Sequence, residues 1–197
     1  MLDSWDCSNQ LHLTSSSCDA TIALGRMLGS LFEPGDIVIL GGELGAGKTA
    51  FASGVAAAFD VEDIVWSPTF VLCRELAGKE KLLHLDLYRL DTLGELEDLG
   101  LSELIDSGAI LLVEWGDVAA PVFGAQRLEV SFHYPPETVT PDEVHAENSS
   151  QDLALFLGEP WETRRLLGLR SYGSAWQRRW GEIAKKVEEW QGLWRVQ

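Results

Sequence analysis

The chain has 197 residues, 46% of them hydrophobic, and a formal net charge of −16. That length suits one domain with room for an appendage and buries a core without disulfide staples, while the acid excess makes the body a poor binder of nucleic-acid backbones. No apolar stretch approaches the roughly 20 residues that span a bilayer, Met1–Asp6 carries no basic segment ahead of an apolar run, and Cys7, Cys18 and Cys73 form no CxxC pair. A cytoplasmic protein with reduced thiols is therefore expected, with neither DNA nor a membrane as its partner.

In chain order, the elements alternate in the manner of an α/β protein. Leu24, Met27, Leu28 and Leu31 recur at i, i+3, i+4 and i+7 and predict a first helix, which Pro34-Gly35 ends. Asp36–Leu40 is a short apolar run of the kind buried on both faces of a parallel sheet. Gly41-Gly42 breaks it, and a helix of small residues follows from Thr49 to Phe59. Phe70–Leu76 and Lys81–Leu87 flank Ala77–Glu80 and predict a β-hairpin. Residues 92–106 read as one helix or two, interrupted near Gly100, and Ala109–Val113 is a second buried strand closed by Glu114. Leu128, Val130, Phe132 and Tyr134 alternate with Glu129, Ser131 and His133, the period of a half-buried strand. Residues 135–162 carry seven acids, no lysine or arginine and four of the seven prolines, and read as an exposed acidic loop. Arg164–Arg170 is expected to return to the sheet as an edge strand.

The segment Gly42-Glu-Leu-Gly-Ala-Gly-Lys48-Thr49 fits G-x-x-x-x-G-K-[ST], a P-loop. Glycines let the chain turn tightly and aim backbone N–H groups at phosphate oxygens, and the following helix adds its positive N-terminal end. Gly42, Gly45, Ala46, Gly47, Lys48, Thr49 and Ala50 form the expected cradle for ATP or ADP. Lys48 supplies a full charge to the β- and γ-phosphates, and Thr49 offers a hydroxyl to Mg2+. The motif lies between a buried strand and a helix, the context its geometry requires. The fold class expected is thus α/β: a three-layer P-loop NTPase fold with a mostly parallel sheet, an antiparallel hairpin and edge strands, and an extra C-terminal helix. Guanine-specific GTPases carry an Asn-Lys-x-Asp motif, and neither asparagine here, Asn9 or Asn148, begins one.

Glu114 sits at the carboxyl end of its strand, where an acid can hold magnesium or orient water; a carboxylate capping a backbone turn is the plainer alternative. His84, Asp86 and Tyr88 share one face of their strand while Leu83, Leu85 and Leu87 take the other. Asp86 is thereby a candidate second ligand of magnesium or water, against the alternative of an edge strand with its polar face in solvent. His84 taken singly reads as a structural, hydrogen-bonding histidine. Thr69, in Ser67-Pro-Thr-Phe70, presents a hydroxyl from a proline-stiffened loop and suits a sensor of the γ-phosphate, though such a tripeptide is also a common turn. Trp115 either stacks on the nucleotide or a partner, or packs under the sheet.

Taken together, these segments resemble the TsaE family (formerly YjeE), the small ATPase of bacterial tRNA threonylcarbamoyladenosine synthesis. The resemblance rests on Asp19-Ala-Thr21 with Leu24-Gly25, Pro34-Gly-Asp36, Gly42–Thr49, Ser67–Phe70, His84–Leu90, Leu99–Leu101 and Val113–Trp115, in order, across about residues 14–134. It implies slow, magnesium-dependent ATP hydrolysis in support of the TsaD and TsaB subunits, which transfer threonylcarbamoyl to adenosine 37 of tRNA, so that tRNA is met indirectly. It also implies roles: Lys48, Asp86 and Glu114 in catalysis, Thr49, Glu114 and Asp86 toward magnesium, and Thr21 near the nucleotide. Ala50 departs from the family, standing where a second threonine is usual after the lysine. Two other classes stay open, a small-molecule kinase, against which the acidic 135–162 loop argues, and a nucleotide-gated binding module whose hydrolysis is incidental.

The tail has no counterpart in that pattern. Residues 1–163 hold 28 acids and 7 bases, a net of −21, and residues 164–197 hold 3 acids and 8 bases, a net of +5. Trp176, Trp180, Ile183, Val187, Trp190 and Trp194 form an a/d stripe, with Arg178, Arg179, Lys185 and Lys186 off it. The ATPase domain is expected over 1–175 and an amphipathic basic helix over 176–197. Three destinations compete for that helix: its own domain, a partner or second copy, and tRNA phosphates.

Overall fold

The computed structural model describes residues 9–62, 73–88, 100–135 and 164–194. Seven strands form one mixed sheet: β1 (Asn9–Ser15), β2 (Ile37–Gly42), β3 (Cys73–Ala77), β4 (Lys81–Asp86), β5 (Ile110–Glu114), β6 (Arg127–His133) and β7 (Arg165–Tyr172). Their order is β1-β7-β6-β2-β5-β4-β3. The four central strands, β6, β2, β5 and β4, are mutually parallel. Antiparallel pairings flank them, β3 on β4 at one side and β7 on β6, then β1 on β7, at the other.

The apolar runs of β2 and β5 follow from burial on both faces. Val38 and Leu40, with Ile110 and Leu112, face one core cluster, and Ile37 and Ile39, with Leu111 and Val113, face a second. Helices α1 (Cys18–Gly29), α2 (Lys48–Ala58) and α4 (Ser174–Trp194) cover the first face. Helix α3 (Leu101–Asp106) and the 3-10 helix Gly116–Phe123 contribute Leu101, Ala120 and Phe123 to the second. Helix α1 starts on Ser17, whose hydroxyl accepts from the Ala20 N–H at 3.1 Å, with Asp19 in its first turn and Arg26 in its last, both suited to the helix dipole. It lies directly on α2 because two glycines allow it. A Cβ at Gly25 would come within 2.2 Å of the Phe51 carbonyl oxygen, and one at Gly54 within 2.0 Å of that of Ile22.

The hairpin is present, with Ala77 opposite Lys81; its first strand starts at Cys73, and residues 63–72 lie outside the described part. So do residues 89–99, which hold most of the helix expected over 92–106; α3 begins after Gly100, whose φ is +67°. The solvated-edge alternative for β4 falls away: the strand lies between β5 and β3, and His84 and Asp86 are buried. One strand position differs from expectation. β7 is not an edge strand, because residues 9–15 pair along its outer side, Leu11 opposite Leu169 and Leu13 opposite Leu167. Leu11 and Leu13 alternate with Gln10, His12 and Thr14, a short signal diluted by polar residues.

The C-terminal stripe is laid on its own domain. Trp176, Ile183, Val187 and Trp190 are 1–5% exposed and belong to the core cluster of α1 and α2, with Trp180 packed against it; the Trp194 side chain and nearly all of the 135–162 segment are outside the described part. Among the described residues no helix is long and apolar enough to cross a membrane.

Candidate functional site

In open α/β sheets, sites lie beyond the carboxyl ends of the parallel strands, and here β2, β4 and β5 converge there. β2 ends on Gly42, at φ +130°; a Cβ there would lie 2.2 Å from the Phe132 carbonyl oxygen on the neighbouring strand. The chain then loops through exposed Glu43, Leu44 and Gly45, tucks in Ala46, and enters α2 through Gly47, which is left-handed and provides no side-chain cap. Gly47 thus sets no side chain of its own over the first-turn N–H groups of α2, the arrangement that suits an anion. Lys48 is 4% exposed; its Nζ donates to the carbonyls of Gly42 and Glu43, each at 2.7 Å, and stands 3.7 Å from the centre of the Trp115 ring.

At the second residue of the helix, the Thr49 hydroxyl donates to Glu114, 2.9 Å from Oε1 and 3.0 Å from Oε2. Glu114 is 2% exposed, and its Oε1 also lies 2.9 Å from His84 Nε2. Asp86 is the registered neighbour of Glu114 on the parallel strand β4, so the two carboxylates leave the sheet side by side. Asp86 is 3% exposed, and its Oδ1 accepts from the Tyr88 N–H at 2.9 Å. Beyond Glu114 the chain turns through Trp115 at φ +59°, an uncommon conformation for a bulky residue and one that concentrates at functional sites. Its N–H donates to the Leu40 carbonyl, and its ring meets that of Tyr88 with centres 4.8 Å apart. That turn is what carries the indole over Lys48.

Thr21 lies on the other side of the loop. Its hydroxyl is 2.7 Å from that of Ser15 and donates to the Ser17 carbonyl, and its methyl group would be 3.6 Å from a Cβ at Gly47. Together with Gly45, Gly47, Ala50 and Arg165 it borders a cavity of about 210 Å³. Lys48, Thr49, Asp86, Glu114 and Trp115 are thus gathered in one place and Thr21 and Ala50 flank it, while Thr69 falls outside the described residues.

Three neighbours were not singled out as site residues from sequence. His84 bonds Glu114. The Tyr134 hydroxyl donates to the Leu44 carbonyl at 2.9 Å. The Arg165 guanidinium stacks 4.3 Å over the Tyr134 ring, with Nη2 3.5 Å from the Gly45 oxygen. Tyr134 and Arg165 reach the loop only because β6 and β7 pair beside it, and no local pattern signals that.

The donor set fits a hard divalent cation. The Thr49 hydroxyl and the two carboxylates are oxygen ligands, which suit magnesium rather than a thiolate-seeking metal. Thr49 directs its single proton at Glu114, so its lone pairs remain for a cation. Among the described residues no group of three or more His, Cys, Asp or Glu is placed to hold a metal alone. An ion here would complete its shell with phosphate oxygens and water, which is the habit of magnesium.

A mixed α/β sheet with a glycine-rich, lysine-bearing turn after its central strand, and buried acids on the neighbouring strands, defines the structural class. Comparison narrows it. The family model described as Threonylcarbamoyl adenosine biosynthesis protein TsaE matches residues 15–140. The tRNA threonylcarbamoyladenosine biosynthesis protein TsaE of Mycobacterium leprae is 41% identical over 120 residues, 56% of this chain and 74% of that protein. Its Bacillus subtilis counterpart is 36% identical over 122 residues, 61% of this chain and 76% of that protein. The crystal structure of Bacillus subtilis YdiB superposes with a TM-score of 0.67 at 22% identity, covering 90% of this chain and 95% of that one, and shows the shared fold. The chain belongs to the TsaE family.

Proposed function

We propose that this protein adopts the P-loop NTPase fold and binds Mg-ATP at Gly42–Thr49. In this reading it hydrolyses ATP slowly in support of N6-threonylcarbamoyladenosine formation on tRNA, working with the TsaD and TsaB subunits in the cytoplasm. The observation that carries the reading is the hydrogen bond from Thr49 to Glu114 at 2.9 Å, with Asp86 in register beside it and Lys48 packed at the same loop. Family membership supports the pathway.

In this reading the N–H groups at the start of α2 receive the phosphates, and Lys48 exchanges the carbonyls of Gly42 and Glu43 for phosphate oxygens. Magnesium, when bound, would neutralise charge on the β- and γ-phosphates. Thr49 is the hydroxyl that would meet it, held in orientation by Glu114. The Asp86 and Glu114 carboxylates orient the attacking water and accept its hydrogen bonds. Trp115 holds the Lys48 ammonium against its ring, and Thr21 borders the space beside the loop. Catalysis is then a matter of positioning and charge stabilisation.

The test is phosphate release from ATP by the purified protein, with magnesium or with EDTA, alone and with the TsaD and TsaB subunits, alongside threonylcarbamoylation of tRNA. Magnesium-dependent release that rises with the subunits, and tRNA modification that fails without this protein, are the expected results. Phosphate transfer to a small-molecule acceptor instead of water would replace the reading with a kinase. Full tRNA modification by a hydrolysis-dead but ATP-binding variant would replace it with a nucleotide-gated module.

A further inference from the structure

His84 is a buried side chain that packing alone does not explain. It is 0% exposed and stands on β4 between Leu83 and Leu85, which face the second core cluster; on its own face the preceding residue is Leu82 and the neighbour across β5 is Leu112, both core. An aliphatic residue would fill this position with no polar atom to satisfy. The histidine instead keeps Nδ1 buried with no hydrogen-bond partner among the described residues, a desolvation cost that an aliphatic residue would not carry. What the imidazole adds is its other nitrogen, 2.9 Å from Glu114 Oε1. A neutral ring with nothing to accept a proton from Nδ1 carries that proton on Nε2 and donates it to the carboxylate.

We propose that His84 is the positioning residue of this site: its Nε2–H fixes the plane of the Glu114 carboxylate, and so decides how well Thr49 and Glu114 together take up a divalent cation. The proposal rests on the Mg-ATP reading above. Glu114 Oε1 accepts from both His84 and Thr49, while among the described residues Oε2 takes only the Thr49 hydroxyl, at 3.0 Å. The carboxylate is thereby pinned through one oxygen, and the second keeps acceptor capacity toward the site. The reach is diagonal: His84 is registered with Leu112, two residues before Glu114 on the adjacent strand. Such a partner fixes the orientation of a ligand without touching the metal, and its loss typically lowers metal affinity or activity by about 10–100-fold.

Two arms test it in the full-length protein. In the nucleotide-free protein, 15N spectra of the imidazole should show the His84 proton on Nε2, and Glu114→Gln should shift that signal. In the second arm, affinity for a non-hydrolysable ATP analogue is measured with and without magnesium for His84→Leu and His84→Gln. His84→Leu is expected to keep its magnesium-free affinity while the magnesium-dependent gain falls about tenfold, with His84→Gln, whose amide can replace the lost donor, recovering most of it. A folded His84→Leu with an unchanged magnesium response overturns the proposal. So does a proton found on Nδ1, or a His84→Gln protein that shows no recovery. Should His84→Leu fail to fold, His84→Gln and the imidazole spectra still decide. If the wild type binds no analogue, the Mg-ATP reading fails, and the imidazole spectra decide the His84–Glu114 bond separately.

Discussion

Two carboxylates mark opposite ends of the same central strands, and the fold treats them differently. Asp36 precedes β2 at the amino end, is 7% exposed, and receives Arg179 from α4 as a fork, Nη1 at 2.7 Å and Nη2 at 2.6 Å. The Glu33 N–H adds a bond at 2.8 Å, Arg179 also donates to the Leu31 carbonyl, and its guanidinium lies 4.2 Å over the Trp176 ring. Glu114 at the carboxyl end is 2% exposed and is bonded by a hydroxyl and an imidazole. A guanidinium fork completes a carboxylate's pairing and ties a helix to the sheet. A threonine hydroxyl leaves its own lone pairs available, so that pairing can be shared with an incoming cation. The amino end is therefore read as structural and the carboxyl end as functional, and variants at the two ends should fail in different assays.

The largest effects belong to the amino end. Deleting residues 175–197 removes Trp176, Ile183, Val187 and Trp190 from the core, and should leave a protein with exposed apolar surface and a broad, early urea transition. Trp176→Ala by itself, at a site 1% exposed, should lower stability by about 3–5 kcal/mol. A truncated chain as stable as the full one would show that the stripe does not serve this core, leaving a partner, a second copy or tRNA phosphates as its destination.

Next comes Lys48→Ala, expected to weaken ATP binding about a hundredfold, or about 2.7 kcal/mol, with little change in the urea midpoint. Unchanged affinity in calorimetry would remove the loop from the nucleotide reading. Asp86→Asn and Glu114→Gln should fold and retain nucleotide but lose about tenfold or more in single-turnover hydrolysis. If both instead bind no nucleotide, the acids serve the pocket rather than the chemistry.

A variant at the amino end separates the two ends most directly. Arg179→Met should cost about 2 kcal/mol in urea denaturation and leave hydrolysis intact, less than the loss on breaking a fully buried pair because the Arg179 side chain is 16% exposed. Hydrogen bonding to Asp36 raises the Arg179 pKa against the opposing pull of burial. A cation whose folded pKa is raised contributes stability that is complete below its unfolded pKa and lost only as pH rises through the folded one. For an arginine that window lies in strong alkali, so the deficit of Arg179→Met relative to wild type should not shrink between neutral pH and pH 9. A deficit that fades over that range would show that the fork is not what Arg179 provides.

What could be read locally was read in the chain. The loop Gly42–Thr49 is contiguous, and its glycines and lysine carry their own geometry. The buried strands Ile37–Gly42 and Ile110–Glu114 announce themselves as apolar runs closed by a glycine or an acid. The stripe from Trp176 to Trp190 has a helical period whatever it packs on. Pairing is another matter, because it depends on which strand edges meet across long stretches of sequence. That Asp86 stands beside Glu114, that Thr49 reaches across 65 residues to bond it, and that His84 pins it from a diagonal position all follow from β5 lying between β2 and β4. That β7 is interior follows from residues 9–15, near the far end of the chain, covering its outer edge. The sequence alone marked most of the elements, though not β1, and the glycine-rich loop Gly42–Thr49, since dihedral preference and side-chain period act over a few residues. The tertiary structure decided the strand order, and with it which polar groups meet, because burial free energy is gained by whole faces and cannot be assigned to any one segment in isolation.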